Sequence, residues 1–163
     1  MSLARDIDLI IAQERRLRFA SFNEADAWAL GSKMRAVAEA RELPLVIDIR
    51  VAGRPLFYAA LAGSNADNPE WVRRKANVVM RYAMSSYRFG RELAMKGRAV
   101  SAEHGTDPMD YAPHGGSFPI HIEGTGVVGA VTVSGVPQRD DHNFVVEMIC
   151  DFLGVPHAEM MLP

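Results

Sequence analysis

A chain of 163 residues with 48% hydrophobic and 23% charged residues is long enough to bury about 70% of its unfolded surface, which excludes dominant disorder and any need for a disulfide or structural metal. Its net charge of -2 predicts no partner by itself, but the charge is segregated. Arg73, Arg74, Lys75, Arg81, Arg88, Arg91, Lys96 and Arg98 crowd the stretch from Trp71 to Val100, and beyond it Arg139 is the only Lys or Arg.

A basic segment followed by an acidic one predicts self-pairing, within a subunit or across a homo-oligomer interface, or a small anionic ligand. Nucleic acid is not expected, because no RNA-binding or helix-turn-helix signature accompanies the basic stretch. No signal-peptide pattern and no apolar run of ~20 residues is present, so neither secretion nor a membrane partner is expected and a cytoplasmic location is. Cys150, inside the apolar run 144–153, reads as a buried structural thiol.

In chain order, Leu3, Ile7, Ile10 and Leu17 share one face of a helix over about 3–18, and Glu14 lands on that face. Ser21 and Glu24 have capping-box spacing and predict a second helix over 23–42, stopped by Leu43-Pro44. Residues 45–61 alternate around Ala52-Gly53 and predict a hairpin, with Asp48 on its wet face.

Asn68-Pro69 predicts the N-cap and first position of a third helix over 69–88. Its apolar stripe is Val72, Ala76, Val79, Ala83 and Tyr87, with Lys75 at the stripe's edge. Gly90 predicts a break or bend, and 91–96 a short further helix. The stretch 97–117 is rich in turn formers and leaves room for one strand near Ala99–Glu103. A second hairpin follows over 118–134, around Gly124-Thr125-Gly126, and a last helix over 137–153. Gly124-x-Gly126-x-x-Gly129 spells a dinucleotide motif but runs into β-formers, so it is discounted. Two tight hairpins and covering helices predict one domain over 1–163, with a mainly antiparallel α+β sheet of about five strands.

Three features carry chemical potential. His114-Gly115-Gly116-Ser117 is either a tight turn before a strand or a ligand loop, its glycine amides able to form an anion-binding nest and His114 an acid, base or ligand. Asp140-Asp141-His142 opens the last helix; the acids suit a helix start, and Asp141 and His142 also suit a polar site. Lys75 and Glu14 are either snorkelling charges or a polar pair lining a pocket between helices and sheet. Antiparallel pairing of the second hairpin brings the His114 loop and Asp141 to one end of the sheet. No HExxH pair is present, so no metal site is predicted.

The run His114-Gly-Gly-Ser-Phe-Pro-Ile120, with Gly124-Thr-Gly126 and Val-Ser-Gly135 leading to Asp141-His142, closely resembles the haem-degrading domain family that includes the HbpS and GlcG proteins. It is nearest to the branch with the His-Gly-Gly-Ser-Phe-Pro-Ile wording. The resemblance implies a profilin-like α/β/α fold with a five-stranded antiparallel sheet, a homo-oligomer, and haem or another anionic planar compound as ligand. Three functions are open at this point: a small-ligand-binding protein using His114, Gly115, Gly116, Ser117, Lys75, Asp141 and His142; a non-enzymatic oligomeric scaffold; and a metal-assisted enzyme using His114, Asp141 and His142.

Overall fold

The computed structural model describes residues 2–163. Helices α1 (Leu3–Arg16) and α2 (Glu24–Ala40) precede a hairpin, β1 (Val46–Val51) and β2 (Arg54–Ala60). Helices α3 (Asn68–Tyr82) and α4 (Ser86–Met95) lead through a long connection to a second hairpin, β3 (Ser117–Ile122) and β4 (Gly126–Ser134), and then to α5 (Gln138–Leu153). The strands form one antiparallel sheet in the order β2-β1-β4-β3.

Among the described residues the sheet has four strands, not the five expected. The stretch near Ala99–Glu103 folds on itself instead: the Ser101 carbonyl accepts from the amides of His104 and Thr106, and 102–104 is one short 3-10 turn. Val100 is its only β-branched residue before Thr106, so it has no apolar alternation with which to hold a sheet edge.

Strand alternation sorts the core into two layers. Ile47, Ile49, Phe118, Ile120, Val131 and Val133 point to one side, where Ala27, Leu30 and Met34 of α2 and Val145, Met148 and Ile149 of α5 cover them in the main cluster. Ala130 points to the other side and packs against Ala76 and Val79 of α3. Helices therefore lie on both faces.

Asp48 shares the α3 side and is fully buried, contrary to the wet face expected for it. The reason is local. Arg50, two residues on and so on the same side, donates from Nε and Nη2 to both carboxylate oxygens at 2.6 and 2.7 Å. Its half-exposed side chain lies over the acid and neutralises it.

Three helix boundaries also moved. The capping box of α2 is Asn23 with Asp26, each side chain bonded to the other's amide, rather than Ser21 with Glu24. Asp67 rather than Asn68 precedes the first turn of α3. The expected helix 69–88 breaks at Ala83, which is left-handed (φ 52°), and Ser85 caps α4 by accepting from the Arg88 amide at 3.3 Å. Tyr87 thus belongs to α4, where it packs with Ile10 and Leu162. Gly90 lies within α4 and lets the helix pass against the Pro113 carbonyl. Cys150 is buried, and burial pushes its thiol up to about 11.

Candidate functional site

Pairing of Ser117 with Thr132 sets the start of β3 beside the last residues of β4. The His114 loop and the first turn of α5 consequently meet at one corner of the sheet, and α3 closes that corner from the side. Asn68, Trp71 and Lys75, spaced three and four apart, present one face of α3 to it. With His114, with Ser134 to Val136 at the end of β4, and with Gln138 and Asp141 of α5, they line a cleft of about 280 Å³.

The floor of the cleft is an ion pair. Lys75 and Asp141 are 3% and 2% exposed, and Nζ lies 2.8 Å from Oδ2. Nζ also donates to the Val133 carbonyl at 3.2 Å, so two of the three ammonium N–H groups have protein acceptors and one has none among the described residues. Asp141 Oδ1 accepts from the Val136 amide at 3.2 Å, which ties the acid to the turn before α5. Burial lowers the lysine and raises the aspartate, and the attraction between them opposes both shifts.

His114 stands half-buried at the wall, its ring edge-on to Trp71 with centroids 5.1 Å apart. Burial first, and then the positive charges of Lys75, Arg74 and Arg91, hold it below the ordinary histidine value. It is therefore neutral at pH 7, with one ring nitrogen to donate and one to accept. Nδ1 is buried and has no hydrogen-bond partner among the described residues.

The glycine pair permits close packing, and of the loop's amides that of Gly116 has no acceptor among the described residues. The Gly115 amide faces Gln138 Oε1 at 3.4 Å and the Ser117 amide donates to Ser86 Oγ at 3.1 Å, so both are occupied. A side chain at Gly115 would run into the Gln138 carbonyl, and one at Gly116 would sit 2.5 Å from the Val133 carbonyl and 2.8 Å from Lys75 Nζ. Gly116 also has φ +123°, a region other residues avoid. Ser117 is buried and shares a hydrogen bond with Thr132 at 2.8 Å, away from the cleft.

His142 is a correction. Successive helical residues point about 100° apart, so Asp141 enters the cleft while His142 turns into the core beside Tyr87 and Phe118. It is fully buried, its Nε2 is 2.8 Å from Gln13 Oε1, and burial pushes it down to about 3. His114, Asp141 and His142 therefore do not converge on one metal, and no group of three possible metal-ligating side chains occurs among the described residues.

Glu14 is a second correction. It does not join Lys75 but accepts from the Ser85 amide and from Arg88, both at 2.7 Å, and so fastens α1 to the start of α4. The segregated charges do pair in part within the subunit, through Lys75–Asp141 and Arg73–Asp110. Reading the sequence did not single out Asn68, Trp71 or Gln138 as cleft residues. The helical spacing of Asn68 and Trp71 with Lys75 was the available signal.

A family model for the haem-degrading protein HbpS-like family matches residues 22–150. The chain belongs to that family. It is 50% identical over 162 residues to a UPF0303 protein of Burkholderia ambifaria, covering 99% of this chain and 98% of that one. Among solved structures it resembles Ybr137w, with TM-score 0.81 and 29% identity over 91% of this chain and 87% of the other. It shares its fold with the PduOC:heme complex, with TM-score 0.68 and 15% identity over 87% and 99%. Among the described residues no helix is long and apolar enough to cross a membrane.

Proposed function

We propose that this protein binds a small anionic ligand in the cleft between α3, the His114 loop and the start of α5. The observation that carries the reading is Lys75, a buried ammonium that borders an open cleft and keeps one N–H without a protein acceptor. An ammonium has three donors, so a ligand atom entering the cleft that Lys75 lines can take the third. Beside it, neutral His114 offers a donor and an acceptor, and the ring of Trp71 forms an apolar wall. Convergent polar groups beside an aromatic wall are what fix a small ligand's orientation in such sites.

Haem is the second reading, favoured by the family and by the heme complex of a similar fold. At about 280 Å³ the cleft lies below the usual range of ~300–1,000 Å³ for ligand pockets. Within one subunit it holds a ligand of few atoms or the edge of a larger one and does not enclose a porphyrin. The same proposal includes self-association and a cytoplasmic setting, the first motivated by the segregated charges and checked by light scattering across salt concentrations.

The test is a pair of titrations on the wild-type protein and His114→Ala. Small carboxylates and oxyanions are followed by tryptophan fluorescence, and haem by its visible absorption. Anion-dependent quenching that weakens in the variant at unchanged melting temperature is the expected result. No response to any anion at millimolar concentration defeats the reading, and a Soret shift without an anion response replaces it with haem.

A further inference from the structure

We propose that the His114 end of the cleft is a subsite for a doubly charged oxyanion, with a phosphate monoester as the ligand class, an assignment that rests on the cleft being a ligand site. Lys75 and Asp141 neutralise each other at 2.8 Å, and His114 carries no charge at pH 7. Two guanidinium groups remain behind the cleft wall, Arg74 over the ring of Trp71 and Arg91 over that of Tyr87, and both bear on His114 without being among the lining residues.

Neither arginine has a carboxylate within 4.0 Å among the described residues, whereas Arg73, Arg88 and Arg139 from the same region are each paired. Arg74 lies 4.3 Å over the Trp71 ring, which in turn meets His114, and donates only to the Pro108 carbonyl at 3.3 Å. Arg91 lies 4.8 Å over the Tyr87 ring, which flanks Gly115, and its Nε is buried with no hydrogen-bond partner among the described residues. A guanidinium nitrogen withdrawn from water without an acceptor is costly in the free protein, and an incoming oxyanion supplies the missing acceptor.

Two guanidinium groups without a carboxylate partner favour a dianion over a monoanion. A carboxylate leaves one of them uncompensated. A phosphate monoester carries a charge of about −1.5 to −2 at pH 7 and three acceptor oxygens, to match the unclaimed N–H of Lys75, the ring N–H of His114 and the guanidinium forks.

Calorimetric titration of the wild-type protein with inorganic phosphate, methyl phosphate and acetate, at pH 7.5 and constant ionic strength, tests this. Both phosphates are expected to bind at least tenfold more tightly than acetate. Arg91→Gln and Arg74→Gln are each expected to weaken phosphate roughly tenfold or more, the size of a lost charge-assisted hydrogen bond, with little change for acetate or in melting temperature. Phosphate no tighter than acetate, with acetate still bound, overturns the dianion assignment and leaves the ligand cleft standing. Tight inorganic phosphate without methyl phosphate overturns the ester class. Wild-type phosphate affinity in both arginine variants overturns the subsite, and the absence of any anion binding removes the cleft reading with it.

Discussion

Asp141 and His142 are neighbours in the chain and belong to two different regions of the molecule. On the Asp141 side lies a cleft with a charged floor, a neutral imidazole at its wall and polar hydrogens left over. On the His142 side lies a closed corner in which Gln13 links the imidazole to the Met160 carbonyl, and Asn143 holds both the amide and the carbonyl of Leu162. Both corners contain buried polar groups. The second spends most of its hydrogen bonds on joining α1, α5 and the C-terminal residues and leaves His142 Nδ1 unpartnered in a closed space, while the first leaves a Lys75 N–H and His114 Nδ1 unclaimed beside an open cleft. Unspent donors next to a cleft, rather than buried polarity as such, distinguish a candidate site from a structural network.

The sharpest way to test that contrast is pH. The folded-state value of His142 is about 3, against 6.5 for an ordinary histidine. Because the folded value is depressed, the unfolded chain takes up a proton first as pH falls. The contribution of His142 to stability is expected to be fully present above about 6.5 and to fall progressively toward 3, by roughly 4–5 kcal/mol in all. Urea denaturation between pH 7.5 and 4 should show this slope, and His142→Gln should flatten it. An unchanged slope in the variant would mean that the closed corner is not what makes the protein acid-sensitive.

Lys75→Met comes next. It leaves the Asp141 carboxylate buried beside an apolar side chain, and the expected loss is about 3–5 kcal/mol. The loss should shrink at acid pH, where Asp141, already raised by burial, is protonated. A cost below 1 kcal/mol at pH 7.5 would show that water reaches the cleft floor freely.

Gly116→Ala is expected to cost about 3 kcal/mol, combining backbone strain with a clash, since its φ is +123° and Lys75 Nζ and the Val133 carbonyl are its neighbours. Gly124→Ala, in the β3–β4 turn with φ +75° and nothing within 4 Å, is the comparison. It should cost about 1–2 kcal/mol from strain alone. Equal costs in chemical denaturation would remove the close approach as the reason for the glycine pair.

The smallest effect on stability is expected for His114→Ala, within about 1 kcal/mol because the ring is only partly buried and lacks a hydrogen bond at Nδ1. The same change should weaken anion binding, which makes this variant the inverse of His142→Gln.

Much of the architecture was legible before any coordinates. The two hairpins, the amphipathic α1 and the apolar α5 follow from periodicity, and the meeting of the His114 loop with Asp141 follows from antiparallel pairing alone. What misled was local pattern with more than one solution. Ser21 with Glu24 and Asn23 with Asp26 both satisfy capping-box spacing, and in the folded chain the second forms the box. The stripe from Val72 to Tyr87 is continuous in sequence, yet Ala83 and Ser85 divide it between α3 and α4.

By itself the sequence determined both hairpins, the first two helices and the last, that the sheet is antiparallel, and which family the chain resembles, because periodicity and short motifs are local and depend on a few neighbouring residues. Tertiary structure alone decided which polar side chains are partners. Asp48 looked solvent-facing until Arg50 folded over it, Glu14 was matched with Lys75 until Arg88 took it, and His142 was placed in the cleft until α5 turned it toward Gln13. The charge of a buried group is settled by whatever lies within a few ångströms in space, and for these residues only the packing of helices against the sheet determines that.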